Sequence, residues 1–248
     1  MILLILPFIL TALAGFSTLI GVLPIFFKIK NTKAIIAFAC SFAAGVMISI
    51  SIFDLILEAI NYFKYSLNPI LVIILTILFI FIGINLSFLI DNKINKISRK
   101  GNLYKVGIIT MLAIILHNIP EGIITYIVSK NDISLGISLC LAIALHNIPE
   151  GISIAIPIYY STKSKKMAFL YTLISALSEL LGAFMTWLFL EKYINTFSLG
   201  ILFSIIAGIM LEISFDELIP TGKNYDKNKS IWFFLCGFIV MLISLLLH

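Results

Sequence analysis

From Pro69 to Ile90 the chain reads PILVIILTILFIFIGINLSFLI, 22 residues without one charge, and seven further stretches of similar character accompany it. A run of roughly 20 apolar residues is what an α-helix needs to cross about 30 Å of hydrocarbon. The eight helices expected, with approximate ends, cover residues 2–27, 34–53, 69–90, 106–128, 135–160, 167–190, 197–219 and 231–247. Composition agrees, since 61% of the 248 residues are hydrophobic, 12% are charged and the mean hydropathy is +1.14, outside the range of soluble domains. The expected fold class is therefore an all-α polytopic membrane protein, one transmembrane domain over residues 1–248, with no residues left for a soluble domain.

Basic residues orient such a chain. One set of alternate loops carries Lys28, Lys30, Lys33, then Lys93, Lys96, Arg99, Lys100, Lys105, then Lys163, Lys165, Lys166, and finally Lys223, Lys227, Lys229. The other set carries only Lys64, Lys130 and Lys192. Lys and Arg in short loops are retained on the cytoplasmic side, so this split of 14 to 3 places both termini outside a plasma (inner) membrane. The net charge of +5 then reflects topology, and nucleic acid is not implied as a partner. The opening MILLILPFILTALAG has an Ala-x-Ala stretch at Ala12–Ala14 but no basic region before it, so it reads as the first helix and not as a cleaved signal. Cys40, Cys140 and Cys236 are odd in number and scattered, each inside an expected helix, which makes neither a disulfide framework nor a Cys-x-x-Cys metal site.

Against this apolar background the octapeptide LHNIPEGI occurs twice, at Leu116–Ile123 and Leu145–Ile152. An ionisable residue inside a bilayer costs several kcal/mol unless it is paired or solvated, so by default it marks a pathway or a site. His117 and Glu121, like His146 and Glu150, are four residues apart and share a helical face one turn apart. Pro120 and Pro149 cannot donate to the carbonyls of Leu116 and Leu145, and such a break in a membrane helix is tolerated where a cavity, water or ligand satisfies the freed group. Imidazole, carboxylate, amide and carbonyl gathered at one place form a metal-ligand set.

Counting from the turn at Asn131–Asp132 places His117 and His146 at equal depth, near mid-membrane. At about 1.5 Å per residue, Glu121 is then expected roughly 6 Å to one side of the histidines and Glu150 roughly 6 Å to the other, a ladder across the bilayer. Glu179, in LISALSELLGAFMTW, falls near the depth of Glu150 when counted from the turn at Lys163–Ser164. Two carboxylates level with each other in a low dielectric repel unless a cation or proton lies between them. One such His could simply be hydrogen-bonding glue between helices, but two identical copies at matched depth, with Glu179 added, favour a site. An intramembrane zinc-dependent hydrolase is the alternative from another class. It lacks its usual His-Glu-x-x-His motif and any separate base here, so a transporter needs fewer coincidences.

These residues resemble the ZIP (Zrt/Irt-like) divalent metal transporters, in particular their ZupT-type bacterial branch. The paired HNIPEG, SALSELLG around Glu179, FAAGVM at Phe42–Met47 and SFDELIP at Ser214–Pro220 are similar to that family's motifs. The resemblance implies a 3+2+3 order with inverted repeats, homodimers, and a metal path lined by His117, Asn118, Glu121, His146, Asn147, Glu150 and Glu179. Asp54 and Glu58 would attract cations at the outer end of the second helix, Asp216 and Glu217 would lie near the cytoplasmic end of the seventh, and Met47 and Glu212 are weaker candidates. The inverted repeat has an echo in AGVMISISIFDLILE and AGIMLEISFDELIPT. Many relatives carry an acid at the position of Asn147 and a His-rich loop after the third helix; this chain has neither, which weakens a second metal subsite and any metal-sensing loop. The ligand set suits Zn²⁺ first, with Fe²⁺, Mn²⁺ and Co²⁺ as further substrates, transported and not held as cofactors, and the protein is expected not to be an enzyme.

Overall fold

The computed structural model describes residues 2–28, 30–97, 102–190 and 192–246. Arg99 and Lys100 of the expected basic loop, and the expected end of the last helix at Leu247, lie outside the described residues.

Among the described residues the chain forms eight helices long and apolar enough to cross a membrane, and no strand. We number them α1 (Ile2–Ser17, continuing as a 3₁₀ segment Thr18–Phe26), α2 (Thr32–Lys64), α3 (Pro69–Ile97) and α4 (Asn102–Asn131). They continue as α5 (Ile133–Thr162), α6 (Lys165–Leu190), α7 (Thr196–Tyr225) and α8 (Lys227–Leu246). Several run past the apolar limits, because a helix continues until its terminal N–H groups find a cap. Asp132 accepts from the N–H of Ser134 and Leu135, Ser164 from Met167, and Asn195 and Ser198 form a capping box. Lys163 closes α5 in the left-handed conformation, φ 58°. Neither motif proline breaks its helix: α4 passes through Pro120 and α5 through Pro149. Lys105, expected in a loop, sits inside α4.

Two groups of helices pack most closely, α1 with α4, α5 and α6, and α2 with α3, α7 and α8; α2 against α5 and α4 against α7 join them. The contacts repeat under an exchange of α1 with α6, α2 with α7, α3 with α8 and α4 with α5. A Cβ on Gly45 of α2 would fall 2.2 Å from the carbonyl oxygen of Phe234 in α8, and one on Gly208 of α7 would fall 2.2 Å from that of Ile80 in α3. Between the motif helices and their partners the same holds: a Cβ on Gly122 would lie 1.8 Å from the Glu179 carbonyl oxygen, and one on Gly151 would lie 1.9 Å from that of Thr18. Small residues let membrane helices approach until dispersion holds them, since lipid tails supply no hydrophobic drive. The sequence echo between α2 and α7 also extends into geometry. Both widen into a π-helical turn, at Ser51–Leu55 and Ser214–Leu218, the segments that carry Asp54 and Asp216. This pairing is consistent with the 3+2+3 order.

Candidate metal centre

Only Asp132 separates α4 from α5, so the two motif helices are adjacent and antiparallel, with their copies of HNIPEG side by side. The imidazole rings of His117 and His146 lie with centroids 6.0 Å apart. One carboxylate oxygen serves both: Glu121 Oε1 is 2.9 Å from His117 Nε2 and 2.8 Å from His146 Nε2. Glu150 Oε1 stands 3.8 Å from His117 Nε2. The ladder is therefore compressed into a cluster. Side chains on a helix tilt toward its N-terminus, and each Glu lies one turn C-terminal to its His. In antiparallel helices both acids are thus drawn back to the level of the imidazoles, and neither forms a separate rung.

Asn147 follows a different geometry. Its amide nitrogen donates to the carbonyl oxygen of Ala14 in α1 and to Glu179 Oε2 in α6, each at 3.0 Å. Asn118 makes the corresponding bond, 3.3 Å to the carbonyl oxygen of Ser175 in α6. Glu179 thus meets the motif through Asn147 and not through a Glu150 carboxylate level with its own, and among the described residues the donors within 4.8 Å of one another at this site are those of His117, Glu121 and His146.

The polar atoms left over say what is needed here. Both oxygens of Glu150, Oε1 of Glu179, Oε2 of Glu121, Nδ1 of His117 and the amide oxygens of Asn118 and Asn147 are buried and find no hydrogen-bond partner among the described residues. Natural interiors pair more than nine in ten of such groups, and an ionised carboxylate without a partner costs several kcal/mol. Nitrogen and oxygen donors that converge without enough protons to satisfy them are what a divalent cation completes.

A cavity of about 380 Å³ leads to this cluster from the end of the bundle that carries Lys64 and Lys130. Asp54, Glu58 and Tyr62 line it near the mouth, and Glu121 and His146 at its depth. Asp54 and Glu58 are therefore parts of the approach within α2, which continues beyond them to Lys64. At the opposite end Asp216 and Glu217 join Asp91, which sequence reading passed over, and Lys105, which was expected only as a topological charge. Lys105 Nζ is 2.9 Å from Asp91 and 2.5 Å from Glu217. Asp91 could have been noticed as an acid ending the apolar run LSFLID, but its partners lie in α4 and α7, out of sequence range. Met47 is wholly buried in the apolar core, and Glu212 accepts a short bond from Ser87 of α3.

The sequence model described as "ZIP Zinc transporter" matches residues 98–245 of the chain. Curated proteins align over nearly the whole length. The zinc transporter ZupT of Campylobacter jejuni is 40% identical over 95% of this chain and 94% of its own. Those of Streptococcus mutans and Oceanobacillus iheyensis are 39% and 41% identical, covering 97% and 98% of this chain and 96% and 97% of theirs.

Proposed function

The chain belongs to the ZIP zinc transporter family, and from that premise we propose that Zn²⁺ crosses the membrane through the cluster of His117, Glu121, His146 and Glu150. It is a multi-pass membrane transporter and not an enzyme, so the hydrolase alternative falls. The observation that carries the reading is the shared carboxylate: Glu121 Oε1 within 2.9 Å of two imidazole nitrogens, beside a Glu150 whose oxygens have no partner. Zn²⁺ takes four nitrogen or oxygen ligands at about 2.0–2.2 Å. Two imidazoles and two carboxylates supply that number, with modest side-chain movement.

The cavity gives the ion an approach past Asp54 and Glu58, whose charges raise the local cation concentration. Asn147 and Glu179 flank it at the cluster, and Asp216, Glu217 and Asp91 stand at the far end, where Lys105 must yield before an ion departs. Inverted repeats that exchange their packing around a midplane site are a common basis of alternating access. In this reading the Lys64 end faces outward, both termini lie outside the plasma (inner) membrane, and transport runs inward. Fe²⁺, Mn²⁺ and Co²⁺ are further substrates, since the donor set suits each of them, and the protein works as a homodimer.

Uptake of ⁶⁵Zn into liposomes containing the purified protein tests the reading. His117→Ala should lose at least about tenfold in initial rate while inserting normally; wild-type rates in that variant would return the cluster to a structural role.

A further inference from the structure

The exchange that relates the two halves pairs residues one by one, and it gives Glu179 a counterpart in α1. Gly122 packs against the backbone of Glu179, and Gly151 packs in the same way against that of Thr18. Asn118 donates to Ser175 and Asn147 to Ala14, residues that stand four positions before Glu179 and Thr18 respectively. Space is allotted to match. A Cβ on Gly15 would come 3.2 Å from Glu179 Oε2, so the long side chain faces a glycine, whereas Ala176, which stands three positions before Glu179 as Gly15 does before Thr18, keeps its methyl group.

Thr18 is wholly buried, and its hydroxyl has no partner among the described residues. A helical threonine normally returns its hydroxyl to the carbonyl one turn back, as Thr11 does to Pro7 at 2.9 Å and Thr186 to Gly182 at 2.8 Å. Thr18 sits where α1 passes from α to 3₁₀ geometry, and the carbonyl one turn back, that of Ala14, already accepts from Ser17 at 2.6 Å and from Asn147 at 3.0 Å. Its hydroxyl is thereby left over, and under the exchange it corresponds to the Glu179 carboxylate, on the half that carries Asn118 and Glu150, whose amide oxygen and carboxylate oxygens also find no partner among the described residues.

We propose that Thr18 is a further residue of the ion path, the neutral counterpart of Glu179, whose hydroxyl oxygen contacts a divalent cation on the Asn118 and Glu150 half of the site. The inference rests on the ion passing through the motif cluster. One half then holds the ion with an added carboxylate and the other with a hydroxyl, so the ion is bound less firmly on the Thr18 side and leaves it more readily.

Isothermal titration of the purified, full-length protein with Zn²⁺ and with Mn²⁺ tests this. Thr18→Val keeps the shape and removes the hydroxyl, and it should weaken Zn²⁺ binding by about tenfold. Thr18→Ser keeps the hydroxyl and should bind within about twofold of the wild type, a smaller loss than one neutral hydrogen bond accounts for. Thr18→Asp, the acidic form, should shift the ranking toward Mn²⁺, because carboxylate oxygen suits harder ions. If Thr18→Val binds like the wild type, or Thr18→Ser is as weak as Thr18→Val, the residue only packs and the proposal is overturned. His117→Ala is titrated alongside. If it also binds like the wild type, the motif site itself is wrong and the inference falls with it; if it loses binding while Thr18→Val does not, the inference alone fails.

Discussion

Glu150→Gln separates a ligand from a structural acid. Glu150 is wholly buried, neither of its oxygens has a hydrogen-bond partner among the described residues, and the nearest cationic candidate is His117 Nε2 at 3.8 Å. At an effective dielectric of about 20 a unit pair at that distance attracts by roughly 4 kcal/mol, which does no more than offset a desolvation penalty of several kcal/mol. A divalent ion at about 2 Å doubles the charge and halves the distance, so the attraction rises roughly fourfold. Glutamine keeps the shape and removes the charge. In the metal-free protein the exchange should therefore leave stability unchanged or slightly raised, while the metal's contribution disappears. Saturation at 100 times Kd adds about 2.7 kcal/mol, which for a chain of this size corresponds to a rise in Tm of roughly 5–10 °C. Thermal unfolding in detergent, with and without Zn²⁺, should show that rise in the wild type and less than about 2 °C in Glu150→Gln by the same conversion. A variant that is several degrees less stable without metal, yet keeps the full Zn²⁺-induced rise, would refute the assignment of Glu150 as a ligand.

Asn147→Asp removes the amide donor that joins Ala14 and Glu179 and places a carboxylate against both; unfolding without metal should come at lower temperature, and titration should show tighter Mn²⁺ binding with a lower maximal uptake rate. Lys105→Met leaves Asp91 and Glu217 without their ammonium partner and should cost about 3 kcal/mol, most of it restored by adding Asp91→Asn and Glu217→Gln, as read by tryptophan fluorescence on heating. Cysteines replacing Lys64, Lys130 and Lys192 should react with an impermeant thiol reagent from outside intact cells, and those replacing Lys165 and Lys227 should not; the reverse pattern would invert the proposed sidedness.

Helix number and the paired motifs were legible because both are local properties. Apolar length marks a span without knowledge of its neighbours, and the four-residue spacing puts His117 with Glu121 and His146 with Glu150 on one face in any helix. Depth counting also brought the two histidines together, for the single-residue turn at Asp132 leaves little freedom in how α4 and α5 align. What counting along the backbone could not deliver was side-chain reach. The ladder expected from Cα positions contracts because Glu121 and Glu150 lean toward their own N-termini, and in antiparallel helices those directions converge.

The contribution of α1 was hidden for a different reason. TALAGFST contains no charge and reads as an ordinary packing face, yet Ala14 supplies a backbone carbonyl to Asn147, Gly15 leaves room for Glu179, and Thr18 brings a hydroxyl to the other half. None of these roles belongs to a residue type; each follows from what packs opposite. The weak echo between α2 and α7 becomes informative for the same reason. When the halves are matched through the packing of Gly45 with Gly208 and of Gly122 with Gly151, every position in one half acquires a partner in the other, and a difference between partners becomes a statement about chemistry. Glu179 and Thr18 are such a pair. The packing of the two halves repeats and their charge does not, so on the proposed path the side that holds an ion less firmly is set by one side chain in α1.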